Sequence, residues 1–264
     1  MNSKQPSPQR HPANVYLEAQ AYWGMTIHMG GQEATDRLAR LCHVDRHTRV
    51  LVVGCGVGVT PRYLVRRYGC RVVAIDISEK MVERSKERAK REDVDGGVAF
   101  GVADAQALPF ADATFDAVMC ESVNAFIEDK AAALAEYVRV TKPGGYVGIN
   151  EVTWLKEPPR ELAAYLYRVT GTQFLTGDGW RQLLERSGLR ETAALVYGTS
   201  ITRQWASEVR QSDWSSLLGA WFRYLSMVVR KPAYRRFTRE ALAFPRSILR
   251  LFEYFGYGLY AGRR

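Results

Sequence analysis

Three alternate glycines, Gly54, Gly56 and Gly58, interrupt the run Val50-Leu51-Val52-Val53 and mark where this chain could do chemistry. Four consecutive apolar residues, three of them β-branched, suit a central parallel strand covered on both faces. The glycines let the backbone turn sharply and approach a ligand with no side chain between. Val59-Thr60-Pro61-Arg62-Tyr63-Leu64 then reads as a helix start, whose free N–H groups and positive dipole end face the same crevice. The ligand expected there carries a carboxylate, ribose or phosphate. With Val59 following the third glycine, the spacing departs from the G-x-G-x-x-G of dinucleotide folds, which points away from NAD. Eighteen residues past Gly58, a second apolar strand, Arg71-Val72-Val73-Ala74-Ile75, ends in Asp76, where a carboxylate can accept both hydroxyls of an adenosine ribose. The competing role for Asp76 is a helix cap ahead of Ser78.

At these residues the chain resembles the class I S-adenosylmethionine-dependent methyltransferases. Gly54-Cys55-Gly56-Val57-Gly58 is similar to their first motif and Ala74-Ile75-Asp76-Ile77-Ser78 to their second. Asp104 to Phe110 and Phe115-Asp116-Ala117-Val118 are similar to the third and fourth, and Val140 to Tyr146 resembles the turn into their fifth strand. The resemblance covers residues 50 to 153 and implies S-adenosyl-L-methionine as cofactor, bound along Gly54, Cys55, Gly56 and Gly58. It further implies that Asp76 holds the ribose, that Ile77 and Met81 pack on the adenine, that Asp104 and Ala105 bind its amino edge, and that Glu121 ends the fourth strand beside the methyl group. Cys55 is expected as a filler between glycines rather than a nucleophile. Most relatives carry an acid two residues before the first glycine, where this chain has Val52, so the cofactor's ammonium needs another partner, such as backbone carbonyls of the loop.

The segment Tyr22 to Thr35 resembles the lid of small-molecule N-methyltransferases acting on phosphoethanolamine, glycine or sarcosine. By that likeness Tyr22, Gly30 and Gly31, with Tyr16 beside them, become cofactor-lid candidates; the acceptor does not transfer with so short a match. A sulfonium methyl is already activated, so catalysis requires an acceptor lone pair held in line behind it and water excluded. A protonated acceptor also needs a base. His28 is the first candidate, because imidazole titrates nearest neutral pH. Glu121 and Glu151, at the ends of adjacent strands, are the next. The plainer role for His28 is a lid residue hydrogen-bonded to backbone.

The elements that must position these residues follow an α/β rhythm. Strands are expected at about 49–54, 71–76, 97–102, 114–120, 144–153 and 189–197, and helices at about 15–23, 32–43, 60–68, 79–91, 129–140 and 177–187. The segment from Phe255 to Arg263 resembles the family's last strand. The fold class is thus α/β, a doubly wound, seven-stranded, mostly parallel Rossmann-like sheet with an antiparallel last strand and a helical insertion before it. The domain reading is a disordered leader over 1–14, a methyltransferase domain over 15–198 and 251–264, and an insertion over 199–250 that caps the acceptor. That insertion holds ten Arg or Lys against three acids and supplies most of the formal net charge of +9. Trp214, Leu217, Leu218, Trp221, Leu225 and Val228 recur there at helical spacing.

The insertion has three readings: a helical lid with a charged top, an amphipathic surface in contact with anionic membrane, or a nucleic-acid surface. Nucleic acid ranks last, because Cys120-Glu121-Ser122-Val123 lacks the N-P-P-Y-type turn of amino-methylating DNA enzymes. The four scattered cysteines lack C-x-x-C spacing, which argues against zinc and disulfides. No run of eighteen apolar residues occurs and the N-terminus has no apolar segment, so the expected location is cytoplasmic, with peripheral membrane contact open. The reading is a methyltransferase for a small or amphipathic acceptor, its rival a non-catalytic S-adenosylmethionine-binding module; acceptor identity and oligomeric state stay open.

Overall fold

Val50 and Val52 point into one apolar layer while Leu51 and Val53 point into another, so the strand Arg49–Val53 (β1) is covered on both faces. This alternation makes it the centre of the fold. The computed structural model describes residues 15–16, 28–199 and 214–264. The expected leader over 1–14 lies outside the described residues, as does the 15–23 helix beyond its first two residues. Parallel partners flank β1: Arg71–Asp76 (β2) on one side and Phe115–Glu121 (β4) on the other, with Val98–Val102 (β3) outside β2. Thr141–Trp154 (β5) adds parallel to β4; Phe255–Arg263 (β8) then runs antiparallel between β5 and Arg190–Gly198 (β7). The order β3-β2-β1-β4-β5-β8-β7 reverses direction between β1 and β4. Open sheets of this kind hold ligands outside the carboxyl ends of the strands at that reversal.

Helices close both faces. Gly31–Leu41 (α1) and Val59–Tyr68 (α2) contribute Leu38, Ala39 and Leu64 to the layer of Val50 and Val52. Lys130–Val140 (α4) and Gly177–Arg186 (α6) contribute Leu134, Tyr137, Trp180 and Leu184 to the other. Glu79–Arg91 (α3) is capped by Ser78, whose hydroxyl accepts from Met81 N–H. The cap role considered for Asp76 therefore belongs to Ser78.

Three features differ from expectation. The fifth strand begins at Thr141, directly after α4, and absorbs Pro143-Gly144-Gly145 through an irregularity against Phe115 and Ala117. Leu175–Thr176 (β6) pairs with β5 as an eighth strand too short for any alternation to show. Arg160–Thr170 (α5) is a helix where no element was expected, with Leu162, Tyr165 and Val169 buried at helical spacing.

Between β7 and β8 the described chain is helical: Trp214–Arg230 (α7), Pro232–Leu242 (α8) and the single turn Leu251–Tyr254 (α9). Residues 200–213 and the side chains of Trp214, Leu217, Leu218 and Trp221, on which the expected apolar face partly rested, lie outside the described residues. Phe237 of α8 packs with Tyr165 and Val169 of α5, and the Tyr165 hydroxyl donates to Ala241 O at 2.6 Å. Among the described residues no helix is long and apolar enough to cross a membrane.

Trp180 has no solvent exposure, and its indole N–H donates to Val152 O at 3.1 Å, tying α6 to β5. Trp180→Ala should lower unfolding free energy by about 3–5 kcal/mol, from lost burial and an unfilled cavity. Urea titration checks this, and a loss below 1 kcal/mol would mean that the site collapses around the truncation.

Candidate functional site

The carboxyl ends of β1, β2, β4 and β5 open into one cavity of about 1630 Å3. Gly54, Gly56, Asp76, Ile77, Met81 and Asp104 line one part of it; Leu166, Phe174, Tyr234, Phe237, Phe252 and Phe255 line another. His28, Glu121, Ser122 and Glu151 also face it. A pocket for one small molecule measures about 300–1,000 Å3, so there is room for two.

At the glycine turn, Gly54, Gly56 and Gly58 all hold positive φ, at 69°, 54° and 81°. At Gly54 any Cβ would collide with the Val123 side chain, so the approach of the first turn to the loop after β4 requires glycine twice over. Asp76 sits across the turn: its Oδ2 accepts from Gly56 N–H and its Oδ1 from Ser78 N–H, each at 2.9 Å. Burial pushes its pKa up, and the two backbone donors pull back. Each oxygen keeps a lone pair for a further donor. Beside it Ile77 is 69% exposed, an apolar surface left uncovered at the cavity, while Met81 is buried. Asp104 Oδ1 accepts from Gln106 N–H at 2.9 Å, holding the turn in which Ala105 also lines the cavity. Cys55 is buried between the glycines and its thiol is pushed up to about 12 by burial, which removes the reactive thiolate.

Glu121, at the end of β4, gathers the polar side chains of three other elements. Thr60 Oγ1 in the first turn of α2 donates to its Oε2 at 2.6 Å, and Asn150 Nδ2 on β5 donates to Oε1 at 3.2 Å. Thr35 Oγ1 of α1 lies 3.1 Å from both carboxylate oxygens and 2.9 Å from His28 Nε2. A hydroxyl has one proton to give. When Thr35 gives it to Glu121, His28 Nε2 carries the proton that bridges to Thr35, and Nδ1 is the basic nitrogen. His28 and Glu121 are 4.0 Å apart at the nearest atoms.

Glu151, fully buried on β5, is occupied differently. Its Oε1 accepts from Val123 N–H at 3.1 Å, Asn124 N–H at 2.7 Å and Asn124 Nδ2 at 3.0 Å; its Oε2 takes Ala125 N–H at 3.4 Å. It clamps the loop after β4, which Gln173 N–H also holds through Ala125 O. Burial raises its pKa to about 7 despite these donors.

The structure thus brings Gly54, Cys55, Gly56, Asp76, Ile77, Met81, Asp104, Ala105, His28, Glu121 and Glu151 to one cavity. Gly58, Gly30 and Gly31 are not on its wall: Gly58 packs on Ser85, Gly30 on the Tyr257 ring, and Gly31 begins α1. Tyr22 lies outside the described residues. Tyr16 does reach the cavity, stacked on Phe126 at 6.0 Å. Thr35, Thr60 and Asn150 carried no assignment from the sequence. Thr60 had a legible position, just inside the helix after the glycines, whereas Thr35 and Asn150 acquire their roles only from the packing of α1 and β5 against β4. Among the described residues no group of His, Cys, Asp or Glu is arranged to hold a metal ion.

Residues 51–149 match a protein-family model described as a methyltransferase domain. The 27-O-demethylrifamycin SV methyltransferase of Amycolatopsis mediterranei is 34% identical over 140 residues, 52% of this chain and 52% of that protein. The sterol 24-C-methyltransferase of Kluyveromyces lactis is 24% identical over 260 residues, 92% of this chain and 68% of that one. Among solved structures, a SAM-dependent methyltransferase from Geobacter sulfurreducens in complex with S-adenosyl-L-homocysteine shares the fold with a TM-score of 0.68 at 22% identity, over 93% of this chain and 96% of that one. The chain spans 44% to 66% of the length of the first curated relatives it matches.

Glu151 makes stability depend on pH. Its pKa rises from 4.5 in the open chain to about 7 in the fold, so the native state binds the proton more tightly. That contribution is complete below pH 4.5 and is lost as pH climbs through about 7. Relative to Glu151→Gln, the native protein should therefore lose on the order of 3 kcal/mol between these limits. Urea unfolding of both proteins across this range measures it, and parallel pH profiles would refute the assignment.

Proposed function

We infer that this chain, which belongs to the class I S-adenosylmethionine-dependent methyltransferases, transfers a methyl group from S-adenosylmethionine to a small or amphipathic acceptor, with the block between β7 and β8 capping the acceptor. The observation that carries the reading is one cavity with two unlike parts: a glycine turn and anchored carboxylate in one, and an aromatic wall in the other. Its volume of about 1630 Å3 suits a donor and an acceptor together.

The residues fit the donor. Asp76, held by two backbone N–H groups, presents spare lone pairs to the ribose hydroxyls; exposed Ile77 and buried Met81 offer the apolar bed for adenine; Asp104 and Ala105 stand at its amino edge. Val52 leaves the donor's ammonium without the usual acid. We assign that charge to Glu121, a buried carboxylate on the cavity wall whose hydrogen bond to Thr60 ties it to the helix following the glycine turn. A buried carboxylate is stabilised by a cationic partner. When bound, the donor supplies a methyl carbon on a sulfonium, ready for displacement.

The chain's part is to position and dehydrate the acceptor. Phe174, Phe237, Phe252 and Phe255 cover apolar bulk and exclude water, so the attacking atom can be held in line. His28, with Nε2 engaged by Thr35, presents Nδ1 as the base for an acceptor that carries a proton. Glu151 serves as brace of the loop after β4 rather than as base. The aromatic wall suits an acceptor with a lipid-like apolar body, in keeping with relatives named for a sterol and for a rifamycin.

Asp76→Ala should weaken S-adenosylmethionine binding about tenfold or more by calorimetry, through loss of the ribose hydrogen bonds; an unchanged affinity would remove its role. With radiolabelled methyl donor and fractionated cell extract, label should enter organic-soluble or small-molecule fractions, and His28→Ala should slow transfer by about 100-fold or more. Label in no fraction would reduce the protein to a donor-binding module, and an unaltered pH profile in the His28 variant would dismiss it as the base.

A further inference from the structure

Helix α7 exposes Phe222, Leu225 and Val229 to 77%, 56% and 75%. Steps of three and four residues place them in one stripe. The far side of α7 is the packed one: Tyr224 meets Tyr234 of α8 edge-on at 6.1 Å, and its hydroxyl hydrogen-bonds Thr238 at 2.8 Å. The stripe therefore points away from the body of the protein. Leu242, Phe244 and Leu249 of the same block are exposed to 70%, 54% and 85%. Single exposed apolar residues are ordinary, but three aligned on one face of a helix are a candidate contact surface.

The charge of this block chooses the partner. Residues 214–250 contain eight Arg or Lys and one acid, Glu240. Arg230, Arg235, Arg236, Arg239 and Arg246 are exposed. Arg235 donates to Val229 O at 2.8 Å and to Val228 O at 3.3 Å, which sets a guanidinium at the end of the stripe. An apolar stripe with Arg230 on its own helix and Arg235 at its end complements an anionic interface, with the stripe entering the acyl boundary and the cations among the headgroups. Among the described residues no helix is long and apolar enough to cross a membrane, so a contact of this kind is one at the surface.

We propose that α7 docks this protein peripherally on anionic lipid bilayers through Phe222, Leu225 and Val229, with Arg230 and Arg235 facing the headgroups. Val229 is followed within three residues by Lys231 and Pro232, which line the cavity. Docking therefore sets the cavity wall at the lipid surface, from which an amphipathic acceptor would enter. Only this last consequence rests on the proposed methyl transfer.

Flotation of the full chain with vesicles, in the absence of donor and acceptor, tests docking separately from catalysis. The protein should float with vesicles of phosphatidylcholine and phosphatidylglycerol at low salt, stay behind with phosphatidylcholine alone, and be released by high salt. Phe222→Asp and Val229→Asp should each lower the bound fraction about tenfold while circular dichroism and S-adenosylmethionine affinity stay unchanged; Leu225→Ser gives a milder version of the same loss. Absence of binding to anionic vesicles at low salt overturns the proposal, as does binding that survives these substitutions. A concentration-dependent dimer abolished by the same substitutions, or retention on single-stranded nucleic acid without vesicle binding, overturns it in favour of another occupant.

Discussion

A carboxylate removed from water must find donors, and Glu151 finds them in the backbone N–H groups of Val123, Asn124 and Ala125. Much of the cavity's geometry depends on this clamp. The loop it holds places Val123 against Gly54, so the glycine turn and the loop after β4 fix one another. It carries Phe126 to Tyr16 and receives Gln173 N–H from the segment before β6. A neutral side chain could make some of these bonds, but a single carboxylate oxygen accepting three donors draws the loop to one position. The cost of the arrangement is a proton affinity near neutrality.

Glu121 solves a related problem by different means. Its partners are side chains from α1, α2 and β5, so it reports the relative placement of three elements. Thr35 stands between it and His28, and the single hydroxyl proton couples the charge on one to the tautomer of the other. Methyl transfer needs little acid–base chemistry compared with acyl or phosphoryl transfer. On the proposed methyl transfer, a polar cluster of this size would orient a charged donor and one basic nitrogen rather than move many protons.

The block between β7 and β8 presents two unlike surfaces. Toward the cavity it presents Tyr234 and Phe237, packed against α5; outward it presents arginines and an apolar stripe on α7. A lid that only closed a pocket would satisfy its outer face with charge alone. The coexistence of Phe222 and Val229 with that charge is what the proposed docking rests on.

How much of this was legible depends on the range of the interaction involved. Local pattern was enough for β1, the glycine turn, Asp76 and the helices α2, α3 and α4, because strand alternation, turn glycines and caps act over a few residues. The Leu162, Tyr165 and Val169 spacing of α5 was equally local and was missed; the two residues of β6 carry no pattern at all. The antiparallel entry of β8 came from resemblance, since nothing in Phe255 to Arg263 states which strands it joins. Tertiary structure alone decided that Gly30 turns against Tyr257 and Gly31 starts α1 instead of lining the cavity, that Glu151 braces a loop, and that Thr35 links His28 to Glu121. Those outcomes depend on groups up to more than 200 residues apart in the chain meeting at one sheet edge, and a hydrogen bond between such groups leaves no periodicity in the sequence to read.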